Sequence, residues 1–73
     1  MNKKPNLLDV VALTEDLPAR NLWRGQVGTV VEDLAPDAYE IEFSDEEGRT
    51  YANIALRADQ LSAAVKKRGK LAV

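Results

Sequence analysis

The chain contains no cysteine and no histidine. Their absence excludes disulfides, thiolate nucleophiles and imidazole bases, and it removes the usual ligands of zinc, haem and iron–sulfur sites. A chain of 73 residues has room for one small domain, which offers little of the ~300 Å³ cleft that a substrate usually needs. We therefore predict a protein without enzymatic activity, with no catalytic residues, no cofactor and no metal.

Long apolar segments are lacking as well. No apolar run approaches the ~18 residues that a membrane-spanning helix needs. The first five residues include two lysines but no apolar core or small-residue cleavage site of a signal peptide. The sequence therefore predicts a soluble, cytoplasmic protein with no membrane partner.

Positive charge is scarce in the middle of the chain. Residues 7–61 carry four arginines and all twelve acids, a net charge of −8, and eight acids but no base fall within residues 32–48. Such a surface repels phosphate backbones, which makes nucleic acid an unlikely partner for this part of the chain. The basic residues cluster near the two ends, and we expect residues 62–73 to form a flexible basic tail.

The apolar pattern predicts several short strands. The residue types at 8–13, 26–32 and 49–54 predict three strands. Residues 39–44 predict another, because the apolar Tyr39, Ile41 and Phe43 alternate with polar residues. Asp45–Gly48 suits a hairpin turn, and residues 56–61 suit one 3₁₀ turn before a short last strand or end cap. Gly28, inside a strand, suggests a bulge or a close backbone approach.

These elements predict an all-β fold, a small SH3-like barrel of four to five antiparallel strands with a long first loop. The barrel covers residues 1–61 as a single domain, and residues 17–24 form the wide connection with one helical turn, beneath which Leu17 and Leu22 are expected to pack. The predicted core consists of six apolar residues: Val10, Val27, Val30, Ile41, Phe43 and Leu61.

Five segments together resemble the bacterial family known as domain of unknown function 4926. They are LDVVAL at 8–13, LP at 17–18, RGQVGTVV at 24–31, YEIEFxDxxGRT at 39–50, and DQL at 59–61. The resemblance implies a free-standing SH3-like barrel with no established activity. A shorter pattern, Gly25-x-Val27-Gly28-x-Val30, is similar to the KOW motif of ribosomal and transcription-elongation proteins and would imply contacts with RNA or RNA polymerase.

The candidate binding residues are one aromatic, one base and three acids. Glu32, Glu40 and Glu42 would form an acidic strand face that steers a basic partner, although such alternation is also typical of a solvated face. Trp23 would either cover the barrel mouth or stand exposed as an apolar anchor beside Arg24. We predict a protein–protein binding module, with self-association or an antitoxin- or immunity-type partner as special cases. The alternative is a KOW-like nucleic-acid- or ribosome-associated adaptor.

Overall fold

Five strands and two 3₁₀ turns make up the fold. The structure is a computed structural model, and it describes residues 4–34 and 36–64. In chain order the elements are β1 (Val10–Leu13), a 3₁₀ turn (Pro18–Arg20), β2 (Val27–Leu34), β3 (Ala38–Ser44), β4 (Thr50–Arg57), a second 3₁₀ turn (Ala58–Gln60) and β5 (Leu61–Ala63). No helix within these described ranges is long and apolar enough to cross a membrane.

All five strands are antiparallel members of one sheet, in the order β4–β3–β2–β1–β5. The prediction of an all-β domain with four to five antiparallel strands is therefore confirmed. β4 and β5 are the last strands on either side of this order, and the closure of the sheet into an SH3-like barrel stays a prediction. β5 includes Ser62 and Ala63, which the sequence assigned to the tail, and residues 65–73 of that tail lie outside the described residues.

One face of the sheet, which we call the inner face, carries the core. Along β3 the side chains of Tyr39, Ile41 and Phe43 are buried, whereas Glu40 and Glu42 point to the opposite, outer face. Residues from β1 to β4 and one loop residue complete a single cluster: Val11, Leu13, Leu22, Val30, Tyr39, Ile41, Phe43, Ile54 and Leu56. The sheet must curl for β1 and β4 to share this core, because two strands separate them.

Two of the predicted core residues lie on the wrong face. Val10 is 44% exposed and Val27 is 48% exposed, because the inward-pointing positions of β1 are Val11 and Leu13. In an antiparallel sheet alternate residues share a face, and this run is apolar at both sets of positions, so its pattern does not identify the buried set. The burial of Val30, Ile41 and Phe43 is confirmed, and Leu61 is half-buried against the core.

β2 contains both a close approach and a bulge, at different positions. A Cβ atom at Gly28 would lie 2.7 Å from Ile41 Cγ2 and 2.9 Å from the carbonyl oxygen of Glu42, so the close approach is confirmed. The register shift falls between Val30 and Glu32, three residues later than a bulge at Gly28 would lie. The additional residue is Val31, and it turns Glu32 away from the inner face on which Val30 lies.

The long first loop is fastened to the core. Leu17 and Leu22 exchange backbone hydrogen bonds of 2.8 and 3.2 Å on either side of the 3₁₀ turn, and Leu22 is buried at 1% exposure. The predicted helical turn and the placement of these leucines are confirmed. At the β3–β4 hairpin the Gly48 N–H donates to the Asp45 carbonyl at 2.9 Å, with a positive φ at Gly48 that a glycine adopts without strain.

Candidate functional site

Three glutamates lie together on the outer face of β2 and β3. Glu32 lies directly opposite Glu40 in the β2–β3 pairing, and Glu42 lies two residues farther along β3, opposite Thr29. Cβ atoms of directly opposed residues are about 4.5–5.5 Å apart, and like charges at that spacing destabilise a sheet. The structure thus brings together the three acids predicted for this surface, which we call the acidic face.

The acidic face has no basic counterpart among residues 4–34 and 36–64. Neither Glu32, Glu40 nor Glu42 forms an ion pair with any base in these ranges. Glu42 accepts a hydrogen bond from the hydroxyl of Thr50 on β4. The β4 residue opposite Glu40 is Ala55, whose methyl group neither neutralises nor covers a carboxylate. The negative charge of this face is therefore directed to solvent.

Three of the five remaining acids of residues 32–48 are paired with bases. At the hairpin, Arg49 lies 2.6 Å from a carboxylate oxygen of Glu47 and 3.6 Å from one of Asp45. The Lys4 ammonium, from the segment before β1, lies 2.7 Å from the carboxylate of Asp37 in the β2–β3 turn. The hydrogen bond and the negative charge of Asp37 raise the pKa of Lys4. The single continuous acidic surface expected from the sequence is thus divided, because bases from outside this segment neutralise parts of it.

Trp23 and Arg24 lie in a turn before β2. The Gln26 N–H donates to the Trp23 carbonyl at 3.0 Å, and the Arg24 N–H donates to Asp16 Oδ1 at 2.8 Å. Trp23 is 48% exposed, so it is not buried as a lid. The five residue steps along β2 from Val27 to Glu32 span roughly 16 Å at the usual strand rise. The structure therefore places this turn at one end of β2 and the opposed pair Glu32 and Glu40 toward the other, with Glu42 between them opposite Thr29.

Sequence reasoning missed a groove beside β5. It is an open groove of about 1050 Å³ between the segment before β1 and the chain from Arg57 to Ala63. Its charged groups largely satisfy one another: Lys4 pairs with Asp37, and Arg57 pairs with Asp59 at 2.9 Å. Within the described ranges no group of three or more acids could hold a metal ion. No local sequence pattern signals this groove, because its walls come from distant parts of the chain.

Fold and site together define a small all-β domain whose outer face carries three carboxylates that no base in the described part of the chain neutralises. The chain belongs to the family described as domain of unknown function (DUF4926), whose model matches residues 7–63. The resemblance in the sequence is thereby confirmed, while its SH3-like and KOW-like aspects stay predictions. Comparisons with curated proteins and with solved structures gave no match.

Proposed function

We propose that this protein is a non-enzymatic protein-binding module whose acidic face receives a basic protein partner. The observation that carries the proposal is the direct opposition of Glu32 and Glu40 across β2 and β3. Like charges directly opposite each other destabilise a sheet, so in this proposal the pair lowers the stability of the isolated domain. A partner that supplies lysine or arginine at this place would remove the repulsion and gain from it.

The placement of the acidic face suits recognition. Its three carboxylates stand on paired strands, which hold side chains in place better than a loop does. They are spaced about 5 Å across the strands and about 7 Å along β3, a spacing that alternate basic side chains of an extended segment can match. Charges arranged in this way increase the rate and specificity of association more than the affinity.

Trp23 contributes a second contact in this proposal. A half-exposed tryptophan is the side chain most often found at energetic centres of interfaces. Because Trp23 and Glu32 lie at opposite ends of β2, a partner that touches both must cover the length of that strand. Arg24, exposed next to Trp23, would then select an acidic group on the partner.

The substitution Glu40→Gln tests the acidic face. It removes one of the opposed charges while preserving the size of the side chain, and Glu46→Gln at the exposed hairpin turn is the matched control for net charge. A synthetic lysine-rich peptide serves as the probe, titrated at two salt concentrations. We expect Glu40→Gln to weaken peptide binding several-fold at low salt and to raise the melting temperature, with little change in either for Glu46→Gln. Equal weakening by both variants would reduce the effect to net charge and contradict the proposal.

A titration with single-stranded RNA tests the alternative of a nucleic-acid adaptor. We expect weak, salt-sensitive RNA binding that disappears when Lys66, Lys67, Arg68 and Lys70 are all replaced by glutamine, since these four tail charges can release only a few counterions. Tight RNA binding that survives these replacements would overturn the protein-binding proposal, because residues 7–61 would then have to hold phosphate.

A further inference from the structure

Among residues 4–34 and 36–64, β4 pairs with β3 on one side and has no neighbouring strand on its other edge. The Ala58 N–H donates to the Asp37 carbonyl at 3.1 Å, which continues the β3–β4 register by one position. In an antiparallel pair hydrogen-bonded positions alternate, so Leu56, Ile54 and Ala52 bond to β3. The N–H and C=O groups of Asn53, Ala55 and Arg57 therefore point away from β3.

Both ends of this edge are closed. At the C-terminal end, the Arg57 N–H donates to Gln60 Oε1 at 2.9 Å, which agrees with the outward direction of that group. At the N-terminal end, the register shift between Phe43 and Ser44 puts Tyr51 in a bulge, and the Tyr51 hydroxyl accepts a hydrogen bond from the Gln26 side chain at 2.9 Å. The cap leaves the Arg57 C=O outward, and between the two ends lie four further outward groups, the N–H and C=O of Asn53 and of Ala55.

The open part of the edge lacks the usual protection against pairing. Natural edge strands are commonly short or carry lysine, proline or inward charges. β4 has eight residues, its residues 50–56 carry no charge and no proline, and both Asn53 and Ala55 are exposed. By contrast, the edge strand on the other side, β5, has only three residues.

We propose that β4 pairs with β4 of a second copy of this chain in an antiparallel, two-fold symmetric arrangement. Asn53 then lies opposite Ala55 of the second copy and Ala55 opposite its Asn53, so the N–H and C=O groups of both residues form hydrogen bonds. Ile54 lies opposite Ile54 of the second copy at the centre. A register shifted by two residues in one direction would need the Arg57 N–H, which already donates to Gln60. A shift by two in the other direction would need Tyr51, which lies in the bulge. The proposed register is the one that avoids both.

The charges of the chain permit this pairing. The one charged residue of β4, Arg57, lies opposite Tyr51 of the second copy, and the two arginines are about 20 Å apart, beyond the Debye length of about 8 Å. Three strand spacings, about 14 Å, separate the β3 strands of the two copies. The acidic faces of the two copies therefore lie on the same side of a ten-stranded sheet, too far apart for strong repulsion. This dimer does not depend on the basic partner proposed above.

Light scattering over a range of concentrations tests the dimer on the full chain. We expect the mass to rise with concentration from 8.1 kDa toward twice that value. Ala55→Pro removes one of the outward N–H donors without touching the β3 ladder, so it should abolish the rise while the circular dichroism spectrum is retained. Ala55→Val keeps the N–H and should preserve the dimer. A constant monomer mass for the unaltered chain would overturn the proposal.

The absence of native cysteine allows a direct test of the register. Hydrogen-bonded pairs have Cα atoms about 5.5 Å apart, within the range for a disulfide, whereas Asn53 and its own copy would be roughly 9 Å apart and outside it. A mixture of Asn53→Cys and Ala55→Cys proteins should therefore oxidise to a mixed disulfide far faster than either variant alone. Ser62→Cys on β5 is the control for random collision. The proposed pairing would be overturned if either variant alone formed a disulfide faster than the mixture, or if Ser62→Cys formed one as fast as the mixture. This test does not depend on the folding of Ala55→Pro.

Discussion

Gly28 is the position where the structure allows the least additional volume. In Gly28→Ala the new Cβ would lie 2.7 Å from Ile41 Cγ2, 2.9 Å from the Glu42 carbonyl oxygen and 3.1 Å from Phe43 Cδ2. Ordinary contacts are about 3.5–4.0 Å, so at least two neighbours must move by several tenths of an ångström, and one of them is backbone. Ile41 and Phe43 are fully buried and cannot retreat into solvent.

Overpacking of this kind costs about 1–3 kcal/mol, and the reduced entropy of the unfolded chain offsets about 0.4–1 kcal/mol. We therefore expect a net loss of about 1–2 kcal/mol. In a domain of this size, that loss lowers the melting temperature by about 5–15 °C. It is also a large part of the roughly 3–5 kcal/mol that so small a core supplies.

Urea denaturation and thermal melting measure this change, with Gly48→Asn as the matched control. Gly48 has nothing within 4 Å of an added Cβ, and its φ of +85° is one that asparagine tolerates. The control should therefore melt close to the unaltered chain, and both variants should keep its dependence on urea. If Gly28→Ala melts no lower than Gly48→Asn, then β2 and β3 can separate locally and the steric argument is refuted.

Three further predictions concern the core, the outer face and one ion pair. Ile41→Ala should cost about 2–4 kcal/mol in urea denaturation because Ile41 is completely buried, and a loss below about 0.5 kcal/mol would contradict its place in the core. Val27→Thr should change stability by less than about 0.5 kcal/mol because Val27 is half-exposed on the outer face, and a larger loss in thermal melting would contradict that placement. Asp37 raises the pKa of Lys4 above its ordinary value of 10.5, so from neutral pH up to about that value the pair stabilises the fold, and its effect is lost as pH rises through the higher folded value; on the alkaline side, melts of Lys4→Gln should converge with those of the unaltered chain only above that folded value.

The parts of the fold that the sequence predicts best are those in which one local signal acts alone. β3 alternates strictly between apolar residues and glutamates, so both its strand character and its buried face follow from the period of two. The hairpin after it has a glycine where positive φ is needed and an aspartate, Asp45, that accepts hydrogen bonds from the backbone of Glu47 and Arg49. Neither conclusion requires knowledge of the rest of the chain.

The sequence fails where two signals coincide or where distant segments meet. β1 is apolar at nearly every position, so the exposed Val10 and the buried Val11 look alike until the pairing with β2 is known. The ion pair of Lys4 with Asp37 joins residues far apart in the chain, and so does the groove beside β5. Such features depend on tertiary packing, which no local pattern encodes.

The bulge at Val31 links the fold to the proposed site. Without it, the alternation of β2 would direct Glu32 to the same inner face as Val30, where an unpaired carboxylate is costly to bury. The bulge avoids the cost of burying the Glu32 carboxylate, but it places Glu32 opposite Glu40. β2 therefore loses one regular pairing position with β3 and acquires a repulsive pair of charges. A threonine at position 32 would fit the same outer face without repulsion. Local features that weaken a fold without a compensating contact are most common at functional sites, which is why we assign binding to this face rather than to the better-paired acids of the hairpin.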